Sequence, residues 1–540
     1  MRRTKRTKKP IPITKQNSSN QSRNEQRKTS SLPLFSTLAK NIDEILKAVG
    51  YSSDVTVRQV CLGEKCQSKV AFVFTDGLVD EGIINEFIIS PIMNKDDVLA
   101  VSQFPLDELQ KMVLQVGNVE RLSDFESLFT SILSGDTVIL VDGSDEGIVI
   151  DTKSWEGRNV TEPQTQTVIR GPHEGFTEGL RVNTSLIRRR IKDKNLWIET
   201  RQIGNRTKTD VAILYMKDIA DEQVVNEVRS RLEKIQIDSI LDSGNIEELI
   251  QDNTFTPFPT VHNSERPDAV AAGILEGRVA ILVDGSPYGL IVPALFAQFL
   301  QAPEDYYQRF DFGFIRFLRY IGMLISLLAP SLYIAVTTFH QEMLKTTLLI
   351  SIAAQREGIP FPAFVEALIM EITFELLREA GIRMPRAIGP AISIVGALVL
   401  GEAAVSASLV SPAMVIVVSI TAISGFTFPS FSIGIPFRLF RFVLMALAAS
   451  FGLFGIIIGL IAIIIHLCSL QSFGVPYMYP FAPFNFNDQK DVIFRVPLWM
   501  MKTRPQPIAG DYSFRMNQSD SSQKDRNRQL KRRNSHESSD

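Results

Sequence analysis

Cysteine, histidine and tryptophan are scarce, with three, five and three among 540 residues. Cys61 and Cys66 have no histidine or second cysteine pair nearby, so they make no zinc-ligand set. Cys468 sits in an apolar run, and nothing resembles a disulfide framework. There is no Gly-rich phosphate loop ending in Gly-Lys-Ser/Thr, no G-x-G-x-x-G and no H-E-x-x-H. His173 and His262 stand alone, and no nucleophile–base–acid set can be assembled. The chain is therefore not read as an enzyme, and no cofactor or metal is expected. The first residues are basic, but no apolar run follows them, so there is no secretory signal. A formal charge of −2, with both signs interspersed, excludes a strongly basic nucleic-acid binder.

What is present is a split composition. Residues 1–31 are rich in Lys, Arg, Ser, Asn and Gln and read as a disordered basic arm able to touch anionic lipid headgroups. Charged, soluble sequence runs to Arg319, and Tyr320 to about Asn487 is largely apolar. The soluble part is duplicated. Val70 to Phe74 matches Val211 to Tyr215, and Asp80-Glu81 and Asn85-Glu86 match Asp221-Glu222 and Asn226-Glu227. Ile139-Leu140-Val141-Asp142-Gly143-Ser144 recurs as Ile281-Leu282-Val283-Asp284-Gly285-Ser286. Each unit reads as a strand, an amphipathic helix and a Gly-started strand entering an Asp-Gly hairpin turn. The fold expected is an α/β cytosolic region of two tandem related subdomains, 32–160 and 161–310, followed by an α-helical polytopic membrane domain, 311–485. A polar tail, 486–540, reads as disordered.

Between the repeats lies an arginine-rich insert. Arg170, Glu174, Glu178, Arg188, Arg189 and Arg190, with Glu265 and Arg266 further on, form a candidate assembly surface. The missing aromatic platform argues against RNA, and Arg–Glu pairing between subdomains or subunits is favoured. Apolar segments near 320–339, 387–405, 408–428 and 442–470 are candidate spans. Helix 362–380 carries Glu366, Glu371, Glu375 and Glu379. The last three share one face while Glu366 points elsewhere, and an acid at mid-depth costs about 2.5–3.5 kcal/mol on insertion scales. That helix is re-entrant, interfacial or spanning. Its arginine flanks favour five crossings and the basic tail favours an even count. A hairpin at Gly452, Gly455 and Gly459 is one resolution. Around an oligomer axis Val395, Val399, Glu402 and Val405 are candidate pore-lining residues, though they cannot all share one narrow face. Alternatively, Glu402 pairs with Arg386 or Arg438. No inverted repeat is evident in the membrane half, which argues against a transporter.

These residues carry a family resemblance. Arg170-Gly-Pro-His-Glu-Gly-Phe-Thr-Glu178, Asn183-Thr184 with Arg188-Arg-Arg-Ile191, Glu265-Arg-Pro-Asp268, Gly277 to Pro287 and Glu304-Asp-Tyr-Tyr307 are matching stretches. Pro360-Phe-Pro362, the Glu366/Glu371/Glu375 helix with Arg378-Glu-Ala380, Ile394-Val-Gly396 and Val410-Ser411 extend the match, which runs from about residue 32 to 485. The chain resembles the A subunit of GerA-type spore germinant receptors. The resemblance implies an integral membrane protein of the spore inner membrane or cell membrane, with its N-terminal domain cytosolic. It also implies a transporter-like B subunit that senses nutrient, a lipoprotein C subunit, and an A-subunit homo-oligomer that releases monovalent cations. The alternatives are a non-conducting signalling scaffold and the related stage V sporulation protein AF.

Overall fold

The computed structural model describes residues 32–62, 68–93, 119–154, 162–163, 165–308, 313–383, 401–486, 488–509 and 514–515. The chain divides into two compact units. Met1–Trp155 with Lys192–Lys194 forms one, and Glu156–Ile191 with Asn195–Asp540 forms the other. The second α/β subdomain and the apolar helices belong to one unit.

The first unit holds a five-stranded antiparallel sheet, β1 (Val55–Leu62), β2 (Ser68–Thr75), β3 (Val119–Leu122), β4 (Asp136–Val141) and β5 (Gly147–Asp151), in the order β1-β2-β4-β5-β3. The second holds β6 (Leu196–Ile203), β7 (Thr209–Met216), β8 (His262–Ser264), β9 (Val279–Val283) and β10 (Gly289–Val292), in the order β6-β7-β9-β10-β8. The two orders are the same permutation, so the sequence repeat is a repeat of topology. Central strands are apolar on both faces because helices cover both. On β7, Val211, Ile213 and Tyr215 enter one core and Ala212, Leu214 and Met216 the other.

Helices α1 (Leu38–Ala48), α2 (81–93, with a π turn at Ile84–Ile89) and α3 (Phe125–Ile132) belong to the first unit. Their counterparts in the second unit are α4 (Leu180–Arg190), α5 (Glu222–Glu233) and α7 (Pro267–Leu275), with α6 (Ser243–Ile250) between the last two. The repeated Asp-Glu pairs are helix starts. Asp80 accepts from the Ile83 amide and Asp221 from that of Gln223, as N-caps do. The repeated Asp-Gly turns do enter hairpins, with Leu140 opposite Gly147 and Leu282 opposite Gly289. A turn alone does not explain them, however. Asp142 accepts from the Leu38 amide at 3.0 Å and Asp284 from the Leu180 amide at 3.0 Å, so each aspartate also binds the start of a helix over a hundred residues upstream.

After α8 (Glu304–Tyr307) the chain forms a bundle of α9 (Gly313–Thr338), α10 (Thr346–Arg356), α11 (Ala363–Arg383), α12 (Pro412–Gly425) and α13 (Phe431–Ser469). Among the described residues, α9 and α13 are long and apolar enough to cross a membrane. Although α13 runs for 39 residues, it is two antiparallel arms. Gly452 has φ +61° and ψ −141°, which no helix interior allows. A Cβ on Gly455 would strike the Leu447 carbonyl, and one on Gly459 would strike Leu444, fifteen residues back. The arms, 431–451 and 453–469, are about 31 and 25 Å long at 1.5 Å per residue. The hairpin is the resolution that satisfies the glycine spacing.

The hairpin fixes the direction of the other helices. Its tip lies against Phe339 and His340, just past the end of α9, with His340 only 2.6 Å from a Cβ built on Gly452. Its base meets the α/β subdomain, where His466 and Thr256 are 2.9 Å apart and Phe258 packs on Phe437 and Phe440. The chain therefore enters the bundle at Gly313 and leaves it at Ser469 on the same side, which requires an even number of passes. From the far end, α11 and α12 run back together. Glu366 meets Ser411 at their starts, and Arg378 approaches Gly425 toward their ends.

Two expectations fail here. The tail is not disordered over 488–509. It folds against the second α/β subdomain, placing Ile508 among its core residues alongside Phe473, Val475 and Tyr479 from the segment before it. Polar composition concealed this because a few apolar anchors suffice to dock a strap. Cys61 is disulfide-bonded, where no disulfide was expected; Cys468 is free and exposed.

Candidate functional site

The acids of α11 separate by position. At the far end Glu366, fully buried, accepts from the Ser411 amide at 2.6 Å and from the Ser411 hydroxyl, with Arg356 Nε 3.8 Å away. Because Ser411 is itself the N-cap of α12, this carboxylate sits at the positive end of that helix. Two turns further on, Glu371 and Glu375 meet three arginines. Arg441 reaches Glu371 and Glu375 at 3.1 Å each, Arg438 reaches Glu375 at 3.2 Å, and Arg378 reaches Glu375 at 3.0 Å. Glu371 and Arg441 are buried, so removing either leaves an uncompensated buried charge, typically a loss of about 3–5 kcal/mol. Glu379 faces outward and pairs with Arg383 at 2.7 Å. The shared face expected for Glu371, Glu375 and Glu379 thus splits into two arginine-closed acids and one exposed pair.

Glu402 differs from all of these. It is exposed on a helical segment at 401–406, and Arg438, one of its two expected partners, is occupied by Glu375. Val405 beside it is half-buried. Val395, Val399 and Arg386 lie outside the described residues.

The second charged centre joins the bundle to the α/β subdomain, and sequence reading missed it. Asp305, fully buried on α8, accepts through one oxygen from Arg316 at 2.9 Å and Arg319 at 2.8 Å, both on the first turns of α9. Asp491 of the tail reaches Arg316 at 2.8 Å and accepts from the Tyr306 hydroxyl at 2.7 Å. Burial raises the Asp491 pKa against the opposing pull of Arg316 and Tyr306. Arg495 donates to the Asp305 carbonyl. The available signal was the acidic Glu304-Asp305 pair shortly before Arg316 and Arg319, but nothing local announced Asp491.

The expected assembly surface is only partly a surface. Arg188 is buried and donates to the Leu196 carbonyl at 3.0 Å. Arg266 is buried and holds the Gln166 and Pro172 carbonyls and Asp268, while Glu265 accepts from the Tyr288 hydroxyl at 2.6 Å. These three are turned into the subdomain, the two arginines serving as donors to backbone carbonyls that would otherwise be buried without a partner. Arg189 and Arg190 pair with Glu174 at 3.5 and 2.7 Å and are half-buried, and Arg170 and Glu178 are exposed. A cavity of about 740 Å³ lies between α7, the 3₁₀ turn Phe296–Leu300 and the turn at 426–430, with Asp268, Tyr306, Arg319 and Phe428 among its lining residues.

Comparison with known proteins covers this whole arrangement. A family model described as "Bacillus/Clostridium GerA spore germination protein" matches residues 41–507. The chain is 50% identical to spore germination protein KA of Bacillus subtilis (strain 168) over 89% of its own length and 88% of that protein's. It is 41% identical to spore germination protein GerLA of Bacillus cereus, over 88% of its length and 96% of that relative. The crystal structure of the N-terminal domain of the A subunit of the Bacillus megaterium spore germinant receptor GerK3 is 38% identical. It covers 49% of this chain and 98% of that one, with a TM-score of 0.41.

Proposed function

Since the chain belongs to the GerA family of Bacillus/Clostridium spore germination proteins, we propose that it is the A subunit of a nutrient-responsive spore germinant receptor. Its bundle is a polytopic membrane domain in the spore inner membrane, with the α/β subdomains and the tail on the cytosolic side. An even number of passes agrees with a tail on the same side as the N-terminal domain, which the resemblance makes cytosolic. Several copies assemble around an axis into a channel for monovalent cations. The transporter-like B subunit binds nutrient and biases the closed–open equilibrium, with the lipoprotein C subunit alongside.

The observation that carries the channel reading is the contrast among the acids. Glu371 and Glu375 are neutralised by arginines of the same chain, whereas Glu402 is left exposed on an apolar helix bundle. An acid in that position is favourable only beside water or another copy. A ring of Glu402 side chains would favour cations, and Val395, Val399 and Val405 would close the path by dewetting.

In spores, Val405→Ala or Val399→Ala is expected to release potassium without nutrient, measured in the medium by flame photometry. Glu402→Gln should leave the protein at its normal level and change which cations leave. Unchanged dormancy and an unchanged nutrient response at both valines, or a strictly monomeric purified protein, would sink the pore. The arginine-closed pair on α11 favours a second reading for that helix, as the structural post of a non-conducting scaffold. The same Glu402→Gln spores distinguish it, because a scaffold would lose response without altering selectivity.

A further inference from the structure

We propose that residues 484–486 and 488–500 form a foot that lies in the headgroup layer of the membrane leaflet facing the α/β subdomain. The proposal rests on the membrane reading of the bundle. Phe484, Phe486, Phe494, Leu498 and Trp499 are between 52% and 79% exposed, all within seventeen residues. Scattered apolar side chains on a surface need no explanation, but a concentrated set marks a contact. Exposed Lys502 follows directly.

The tail is held at the level where the apolar bundle begins. Phe494 stacks on Phe317 at 5.2 Å, Phe481 meets Tyr320 edge-on at 6.4 Å, and a Cβ on Gly313 would touch Arg495 at 3.1 Å. On the same turns of α9, Phe314 and Leu318 are exposed, so the aromatic patch is continuous with the outer apolar face of the bundle. Indole and phenyl rings at the border between a hydrocarbon core and water, with a lysine close by in the chain, match the chemistry of a lipid interface. The 3₁₀ turn Leu498–Met500 presents Trp499 from a backbone pinned by Asp491 to Arg316 and by Arg495 to Asp305.

The test uses the full chain with Trp155→Phe and Trp197→Phe, leaving Trp499 as its one tryptophan. It is reconstituted in phosphatidylcholine–phosphatidylglycerol vesicles whose acyl chains carry a quencher at a shallow or a deep position. The shallow label is expected to quench Trp499 about twofold more than the deep one, with protection from iodide. A second chain, with Trp499→Phe and Ile457→Trp added, places the indole on the second arm of the hairpin and should be quenched by the deep label. If that arm is quenched while Trp499 stays open to iodide and insensitive to lipid labels, the foot is wrong and the membrane reading stands. If neither is quenched, both fall. Protection of Trp499 that appears only on adding the receptor's other subunits, without lipid quenching, assigns the patch to a protein and overturns the proposal.

Discussion

His262 sits on β8 with its ring tilted against Phe299 at 5.3 Å and its Nδ1 buried without a hydrogen-bond partner. Burial, reinforced by the nearby Arg278 guanidinium, pushes its pKa down to about 3. Below its unfolded value of about 6.5, the unfolded chain takes up a proton that the folded chain refuses. Stability is then complete above about pH 6.5 and falls as pH drops toward 3, by about 1.4 kcal/mol per unit. The thermal midpoint of the intact chain is expected to fall over pH 6.5–4.5, and His262→Leu should remove that part of the slope. Equal slopes in the two proteins would refute it. No sequence pattern exposed this residue: a lone histidine is uninformative until Phe299 and Arg278 are folded around it. Glu371 and Glu375 were legible as costly acids. Their arginines were not assignable, because Arg438 and Arg441 lie more than sixty residues away and the local candidates were equally plausible.

At the scale of elements, glycine spacing within the last apolar segment supplied the hairpin as one of several possibilities. The choice was made by packing. Gly455 and Gly459 face Leu447 and Leu444 so closely that a methyl group at either would overlap them, costing about 1–3 kcal/mol or more. The hairpin places residue 451 and residue 468 at opposite ends of the bundle. A cysteine introduced at exposed Phe451 and native Cys468 are therefore expected to react with an impermeant thiol reagent from opposite sides of the membrane. Labelling of both from one side would contradict the hairpin within a membrane. The strands of the α/β subdomains were readable from their β-branched runs and their repeat. The second role of the Asp-Gly turns was not, since a cap supplied from a hundred residues away has no local signature.

For the whole molecule, the consequence of the fold is that the second α/β subdomain is assembled from chain that precedes the bundle and chain that follows it. Ile508 is fully buried in its core, and its carbonyl lies 2.8 Å from where Gly277 would carry a Cβ. Ile508→Ala is expected to cost about 2–5 kcal/mol. It should lower the thermal midpoint of the full chain, although the residue lies in a tail of polar composition. An unchanged midpoint would show that the strap is dispensable. Asp491 and Arg495 tie the same strap to Arg316 on α9 and to Asp305 on α8.

The sequence by itself determined the duplication, the sheet-forming runs, the apolar half and the anomaly of acids within it, because these depend on periodicity and composition over short windows. Only the tertiary structure decided which acids are closed by arginines, that the last apolar run doubles back, and that the tail belongs to the α/β core. Each of those outcomes depends on which distant groups a closed packing brings into contact. Buried charge and buried backbone leave little choice once the chain is compact, and none of that is visible in residues read one after another.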